Sequence, residues 1–361
     1  MSDAAVDPLL RAFELFWHPV CTLAELAAGS DGGGDSPQPL AVQLLGRRIA
    51  VARTSQGRLI ALADRCLHRS TKLSVGWVDG DTIRCAYHGW RWDAGGRCVE
   101  IPSMPLGPIP ERACIPAYDV EERYGLVWVR LDGSAGTAIP AHPAFDDDSM
   151  RVVAGAPYTW PVGAPRRVEN FVDLAHFAWV HDGTLGRRDE PVPPLPAVRR
   201  STGELCFEFD PPEMAVEDTA LFGHSEYRMP MPLTVSIEFW LEHGARRHLW
   251  MTASPLDMAT TRTFWTVSRS DDLDGDDDPH MAFQARVLAE DEPVVCHQDP
   301  PELRLDPGFE MSVRTDRVSI EYRRWLSQIA AAATTGAGAV RACLDLDHGH
   351  APREAAVAIR S

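Results

Sequence analysis

Two short clusters, each with one cysteine and one histidine, constrain this chain more than any other feature of its sequence. The first reads Cys66-Leu67-His68, the second reads Cys85-Ala86-Tyr87-His88, and sixteen residues separate them. Thiolates and imidazoles are the donors that proteins use for zinc and for iron–sulfur clusters. Because the four side chains must meet, the connecting segment has to fold back as a hairpin. The sequence therefore predicts a small β structure with a metal site at its tip.

Two kinds of metal site accept this donor set. A Rieske [2Fe–2S] cluster takes two thiolates on one iron and two imidazoles on the other, whereas zinc takes the same four donors tetrahedrally. Zinc ribbons and fingers favour two cysteines in one loop, but here each loop offers one cysteine and one histidine. We therefore expect a Rieske cluster held by Cys66, His68, Cys85 and His88, with zinc as the alternative.

Composition limits the class of protein. With 361 residues the chain is long enough for two domains, and its net charge of −17 argues against nucleic acid or anionic membrane as a partner. No apolar run approaches the roughly eighteen residues of a membrane helix, and the N-terminus lacks the basic and apolar regions of a secretory signal. The eight cysteines show no paired framework, which fits a reducing compartment. We expect a cytoplasmic protein.

The pattern of apolar residues predicts an α+β fold in two domains. Strand-like runs at 40–45, 48–52, 58–62 and 125–131 indicate an antiparallel β domain spanning 1–145, with its core at about 40–131. A linker at Pro140–Asp148 leads to a catalytic domain spanning 146–361. There, strands at 205–209, 233–241, 249–253 and 261–267 and helices at 165–181, 280–295 and 318–333 predict an antiparallel sheet with helices packed on it.

A second candidate site lies on the first helix of the catalytic domain, which reads Asn170-x2-Asp173-x2-His176-x4-His181. On an ideal helix His181 would point about 140° away from His176, so the helix must loosen or end near Trp179 if both imidazoles bind one ion. Two histidines and a distant carboxylate form the facial triad of non-haem Fe(II) oxygenases. Without the first site, the histidine pair could equally be part of a core or of a surface, and Asp173 could be an ordinary charge on the surface of the helix.

Both motifs together resemble those of the oxygenase (α) subunit of the Rieske non-haem iron oxygenases. Within that family the chain most resembles the bacterial methylxanthine (caffeine) N-demethylases, and it is similar to vanillate O-demethylase and dicamba monooxygenase chiefly at the motifs. The segments that carry this likeness are Phe16–Thr22, Asp64–Ser70, Glu122–Leu126, Glu169–Phe171 and Met214–Val216. The resemblance implies a catalytic domain of the helix-grip type. Ala86 departs from the family, which usually has proline there.

The resemblance also assigns roles to single residues. It selects Asp291 as the third iron ligand among the acidic candidates between His280 and Glu310, which are Glu290, Asp291, Glu292 and Asp299. It makes Asp173 the bridge from a cluster histidine of one subunit to an iron-bound histidine of the next, and it places Asn170 beside it in the catalytic motif. Gln284 matches a position at which the demethylases place a polar side chain against the substrate. A solvated helix residue is the alternative for Gln284.

The implied activity is that of a monooxygenase. It uses O2 and electrons from a separate NAD(P)H-dependent reductase or ferredoxin, in a head-to-tail homotrimer that can include a related α subunit. Hydroxylation of an N-methyl carbon on a small aromatic or heterocyclic substrate would release formaldehyde. Two alternatives stay open: a C–H hydroxylase or O-demethylase, and a non-enzymatic Rieske electron carrier with a ligand-binding domain.

Cations around the first site suggest where an acidic electron donor docks. The group comprises Arg65, Arg69, Lys72, Arg84, Arg91 and Arg97, and Lys72 is the only lysine in the sequence. In the alternative interpretation these charges are scattered, or Arg65 and Arg91 pair with Asp64 and Asp93.

Overall fold

The structure, a computed structural model, describes residues 7–30, 36–210, 224–241 and 244–345, so the Met214–Val216 segment lies outside the described residues. In these residues the α-helices are α1 Pro8–Phe13, α2 Leu23–Ser30, α3 Ala164–Val172, α4 Phe177–Val180, α5 Asp278–Val295, α6 Arg317–Thr335 and α7 Ala337–Asp345. The first strands are β1 His18–Thr22, β2 Leu40–Leu44, β3 Arg47–Arg53, β4 Leu59–Ala63, β5 Trp77–Asp79, β6 Thr82–Arg84, β7 Arg91–Trp92, β8 Cys98–Glu100, β9 Asp119–Arg123 and β10 Leu126–Arg130. The later strands are β11 Arg151–Ala154, β12 Tyr158–Trp160, β13 Arg199–Ser201, β14 Glu204–Phe209, β15 Ser225–Pro230, β16 Thr234–Trp240, β17 Arg246–Pro255 and β18 Thr261–Arg269.

The N-terminal half is built from small antiparallel sheets, with strand orders β2-β3-β4, β5-β6-β7-β8 and β1-β10-β9. The strands expected at 40–45, 48–52, 58–62 and 125–131 are confirmed as β2, β3, β4 and β10. Leu45 and Gly46 turn the chain from β2 into β3 with φ values of 50° and 74°, the left-handed conformation that a tight hairpin turn needs.

A large antiparallel sheet forms the C-terminal half, in the order β11-β18-β17-β16-β15-β14-β13, and β12 also pairs with β18. The α+β class is confirmed. The sequence analysis missed the short strands β11, β12 and β13, and it missed β15, which alternates buried and more exposed residues from Ser225 to Met229. The helices expected at 280–295 and 318–333 are confirmed as α5 and α6.

The two faces of this sheet bury different neighbours. On one face Val235 and Met251 share a core with Val168 of α3 and Trp325 of α6. On the other face Trp250 and Phe264 pack with Trp17 and Trp128 of the N-terminal half. The sheet thus lies between the helices and the N-terminal strands, and the second candidate site lies on the helix face. Among the described residues no helix combines the length and apolar character that a bilayer span needs.

The segment expected to be a linker, Pro140–Asp148, lies mostly at the surface but is anchored by two buried residues, His142 and Ala144. It contains a 3-10 helix at Pro143–Asp146, and His142 is fully buried. The imidazole of His142 lies 2.8 Å from Thr266 Oγ1 of β18 and stacks on Trp250 at 4.7 Å between ring centroids. This connection therefore contributes to the contact between the two halves of the chain.

The helix expected at 165–181 is wrong in its extent, because α3 ends at Val172. Asp173 takes an extended conformation, and its Oδ1 accepts a hydrogen bond of 2.9 Å from the backbone N–H of Ala175. Such a bond from an aspartate to the backbone two residues later competes with helical hydrogen bonding. The helix therefore stops at Asp173 rather than near Trp179.

Two candidate metal sites

The first site is formed by two loops that fold alike. Each loop closes with a backbone hydrogen bond of 3.0 Å, from the N–H of Ser70 to Cys66 and from the N–H of Gly89 to Cys85. The two cysteines are buried, at 1% and 2% exposure, whereas His68 is half-buried and His88 is exposed. The two imidazole rings lie 4.4 Å apart between centroids. The structure thus brings the four predicted residues together, with the histidines at the surface.

The surroundings of these four side chains fit a metal cluster. His68 Nδ1 is buried and has no hydrogen-bond partner in the described chain, as expected of an atom that ligates a metal. The ring of Trp90 stacks on His68 at 4.7 Å and fixes its orientation. Burial, together with the nearby Cys85, raises the pKa of the Cys66 thiol to about 11. A bound metal would offset that penalty, since coordinating thiols are deprotonated.

The second site is assembled where α3 ends. His176 precedes α4 and His181 follows it, so the two histidines flank one short helix instead of sharing a continuous helical face. Their ring centroids lie 5.1 Å apart. The break at Asp173 therefore removes the divergence of about 140° that an ideal helix would impose.

Asp291 reaches this pair of histidines from α5. Its Oδ1 lies 3.5 Å from His176 Nε2 and 3.3 Å from His181 Nε2. Each of these residues offers one ligand atom to a group in which all such atoms lie within 4.8 Å of one another. Two imidazoles and one carboxylate on one side of an ion are the donor set of non-haem Fe(II) sites, with further positions left open.

Glu290, the acidic neighbour of Asp291, contacts the other nitrogen of the His181 ring. Its Oε2 lies 2.7 Å from His181 Nδ1, and its Oε1 accepts a 2.7 Å hydrogen bond from Thr184 Oγ1. A carboxylate on Nδ1 directs Nε2 of the same ring towards a metal and makes the imidazole a better ligand. Burial alone would lower the pKa of His181, but the bonds and charges of Asp291 and Glu290 outweigh it, and the pKa is raised.

One arginine and one asparagine of α3 also contact the carboxylate of Asp291. Asn170 Nδ2 donates to Asp291 Oδ1 at 3.1 Å, and Arg167 Nη1 lies 3.9 Å from Asp291 Oδ2. Burial would raise the pKa of Asp291, but the hydrogen bond with His181 and the charges of Arg167 and His176 outweigh it, so the pKa is lowered. The carboxylate is thus held in its ionised form, which is the form that binds metals.

The remaining predicted residues flank this site. Asp173 Oδ2 lies 3.4 Å from His176 Nδ1, and its side chain is partly exposed. Gln284 is buried on the same face of α5 as Asp291, two turns earlier. The sequence analysis missed Arg167 and Thr184, and it considered Glu290 only as a ligand candidate. The signal available for Arg167 was its place on the predicted ligand helix, one turn before Asn170.

Known proteins match both halves of the chain. Residues 16–118 match the Rieske [2Fe-2S] domain, and residues 160–332 match the vanillate O-demethylase oxygenase C-terminal domain. Methylxanthine N1-demethylase NdmA of Pseudomonas putida is 40% identical over 347 residues, covering 95% of this chain and 97% of that protein. Methylxanthine N3-demethylase NdmB of the same species is 42% identical over 335 residues, covering 90% and 92%.

Solved structures agree with these matches. The structure of Pseudomonas putida CBB5 NdmA with caffeine has a TM-score of 0.86 to this chain at 40% identity, and the match covers 93% of this chain and 96% of that one. Dicamba monooxygenase bound to dicamba shares the fold, with a TM-score of 0.73 at 22% identity over 90% of this chain and 99% of that one. The match to the Rieske domain decides for the iron–sulfur cluster over zinc. This chain belongs to the Rieske non-haem iron oxygenases, oxidoreductases that carry a Rieske [2Fe–2S] cluster and mononuclear iron, use O2, and work with a separate reductase on a small-molecule substrate.

Proposed function

We propose that this enzyme removes an N-methyl group from a small planar heterocycle by oxidation. The observation that carries the proposal is 40% identity to a methylxanthine N-demethylase along 95% of the chain. Two electrons, two protons from solvent and O2 convert N–CH3 into N–CH2OH and water, and the N–CH2OH group then collapses to N–H and formaldehyde. The electrons come from the separate reductase.

We further propose a ligand set for each metal site. Cys66, His68, Cys85 and His88 would hold the cluster, which supplies single electrons, and His176, His181 and Asp291 would hold the iron at which O2 is activated. The convergence of these side chains supports both assignments. In this arrangement Glu290 orients the His181 ring, while Asn170 holds Asp291 through its amide N–H.

Asp173 has the position expected of a link between two subunits. One carboxylate oxygen accepts a backbone bond from Ala175, and the other faces His176 Nδ1. Because the side chain is partly exposed, it can accept a further N–H bond from a cluster histidine of another copy. We therefore assign Asp173 to electron transfer between subunits.

A homotrimer would provide that second copy. Large apolar side chains are exposed at Tyr87, next to His88 of the cluster site, and at Trp179, between the two histidines of the second site. Exposed apolar side chains of this kind are typical of protein interfaces. Light scattering on the purified protein should give three chains per particle, and a monomer at working concentrations would contradict this part of the proposal.

Gln284 is the residue proposed to contact the substrate. It is only 7% exposed, and its amide makes no hydrogen bond within the described residues. An amide without a protein partner can bond a ring carbonyl or ring nitrogen of a heterocycle.

Two further proposals concern the chain as a whole. We place the domain boundary near residue 145, between the two segments matched by family models at 16–118 and 160–332. We place the protein in the cytoplasm, since none of its eight cysteines forms a disulfide.

Formaldehyde release tests the activity directly. The enzyme, a reductase and NADH are incubated with methylxanthines, other N-methyl heterocycles or methoxy-aromatics, and formaldehyde is measured against O2 consumed. We expect equal amounts of both with an N-methyl substrate and neither with an Asp291→Ala variant. A product with a new hydroxyl group and no formaldehyde would favour a hydroxylase, and formaldehyde from methoxy compounds alone would favour an O-demethylase.

A further inference from the structure

Arg167 of α3 is a fully buried arginine beside the second site. Its guanidinium lies between the rings of Trp160 and Phe171, at 4.7 Å and 4.5 Å from their centroids. Its Nε donates a 2.9 Å hydrogen bond to Tyr158 Oη. Burying a charge in this way is unfavourable unless the charge has a partner, so the position of its partner matters.

The partner is the carboxylate of Asp291. Arg167 Nη1 donates to Asn170 Oδ1, and Asn170 Nδ2 in turn donates to Asp291 Oδ1. The same Nη1 lies 3.9 Å from Asp291 Oδ2, and within the described ranges no other carboxylate lies within 4.0 Å of this guanidinium. Arg167, Asn170 and Asp291 therefore form one hydrogen-bonded and ion-paired chain that ends at the candidate ligand.

This chain distinguishes the two oxygens of Asp291. Oδ1 faces the Nε2 atoms of both histidines and also accepts the bond from Asn170, whereas Oδ2 is the oxygen nearer to Arg167. We propose that Arg167 is a positioning residue that fixes the orientation of Asp291, so that this carboxylate offers a single oxygen, Oδ1, to the iron. Two imidazoles and a one-oxygen carboxylate leave three positions for the other reactants, one more than a carboxylate bound through both oxygens. The inference rests on the ligand set proposed above.

Lysine at position 167 separates the geometry of Arg167 from its charge. Lysine keeps a buried positive charge near Asp291 but lacks the planar fork that bonds Asn170 and Tyr158 together. Arg166 gives a matched control, because it is 2% exposed on the same helix and also forms several bonds, to Pro300 O, Glu302 O and Glu310, but none to Asp291. The variants to compare are Arg167→Lys and Arg166→Lys.

Both variants are freed of mononuclear iron with a chelator while the cluster is retained, and Fe(II) is then titrated back without oxygen. Nitric oxide is added as a probe, and the paramagnetic resonance signal of the Fe(II)–nitric oxide adduct reports both occupancy and coordination, since the oxidised cluster is diamagnetic. In Arg167→Lys we expect Fe(II) binding about 10- to 100-fold weaker, the range for lost partners of metal ligands, and an altered line shape. In Arg166→Lys we expect both to match the wild type.

Wild-type affinity and line shape in Arg167→Lys would overturn the inference, as would equal changes in both lysine variants. If Arg167→Lys does not fold, Asn170→Ala interrupts the same chain at its middle and should change the line shape. An unchanged signal in Asn170→Ala would also overturn the inference.

A separate variant tests the ligand set. Asp291→Asn with wild-type Fe(II) affinity would refute that set, whereas loss of iron in Asp291→Asn beside an unaffected Arg167→Lys refutes only the role of Arg167.

Discussion

Acid should weaken the contact between the two halves of the chain through His142. Burial and the nearby His248 lower the pKa of His142 in the folded protein to about 3, against about 6.5 in the unfolded chain. The unfolded chain therefore binds the proton first as the pH falls. The contribution of neutral His142 is fully present above pH 6.5 and is lost progressively towards pH 3. Between pH 7 and pH 5 the free energy of unfolding should fall by about 2 kcal/mol from this residue alone.

The assay compares wild type with His142→Gln by thermal unfolding at pH 7 and pH 5. Glutamine can still bond Thr266 but does not titrate, so carboxylates and the histidines other than the neighbouring His248 contribute equally to both proteins. For 361 residues an unfolding entropy of about 2.1 cal/mol/K per residue converts about 2 kcal/mol into about 3 °C of Tm. The Tm of wild type should therefore fall about 3 °C further than that of the variant. Parallel losses in the two proteins would refute the reasoning.

Four further results are expected. Asp173→Asn should keep both metals but slow substrate-dependent reoxidation of the cluster at least about tenfold in stopped-flow, because it disturbs a bridge and not a ligand; a wild-type rate would contradict this. Asp291→Ala should lose mononuclear iron while the visible absorption of the cluster stays, and full iron content would show that another carboxylate binds. Glu290→Gln should weaken Fe(II) binding about tenfold or more by metal titration, since it removes the carboxylate charge that faces His181 Nδ1. Unchanged affinity would count against the role of Glu290 in orienting His181. Reversing Arg69 and Lys72 to glutamate should raise the KM for an acidic donor at low salt and much less near about 1 M, and an unchanged KM at low salt would place docking elsewhere.

The cluster site could be predicted almost completely from the sequence. The four proposed ligands lie within 23 residues, Cys66 to His88, and their chemistry requires them to meet. The order of the strands around them follows from short local hairpins. Local spacing was sufficient here because both loops close on themselves through bonds between residues four apart.

The supports of the second site could not be predicted in this way. Arg167 and Asp291 are more than a hundred residues apart, and no periodicity links them. Only the packing of α5 against α3 shows that one carboxylate, Asp291, faces the histidines, while its neighbour Glu290 bonds to the far side of His181. The resemblance to a family selected Asp291 as the proposed ligand. The different contacts of Asp291 and Glu290 are seen only in the three-dimensional structure.

The ion-pair partners of the arginines around the cluster site could not be found from sequence proximity. Arg91 contacts Asp79 and Glu100 rather than Asp93, and Arg65 donates to Ser70 Oγ rather than pairing with Asp64. Arg84 contacts the same two carboxylates as Arg91. Asp64 instead accepts bonds from Ser74, and Asp93 accepts bonds from the backbone N–H groups of Gly95 and Arg97. In the described residues Arg65, Arg69, Lys72 and Arg97 form no ion pair, and the docking prediction tests two of these four, Arg69 and Lys72.

The end of α3 shows why periodicity alone failed at the most important position. The apolar residues from Val168 to Trp179 fit a helical repeat, so the pattern predicts a helix through His181. A single side-chain hydrogen bond contributes about 1 kcal/mol, which is as large as the differences in helix propensity that such a pattern reflects. One carboxylate oxygen of Asp173 accepts a hydrogen bond from the backbone N–H of Ala175, which ends the helix, and its other oxygen faces His176. Because asparagine retains the oxygen that bonds Ala175, Asp173→Asn preserves the break and changes only the group that faces His176, whereas alanine would disturb both.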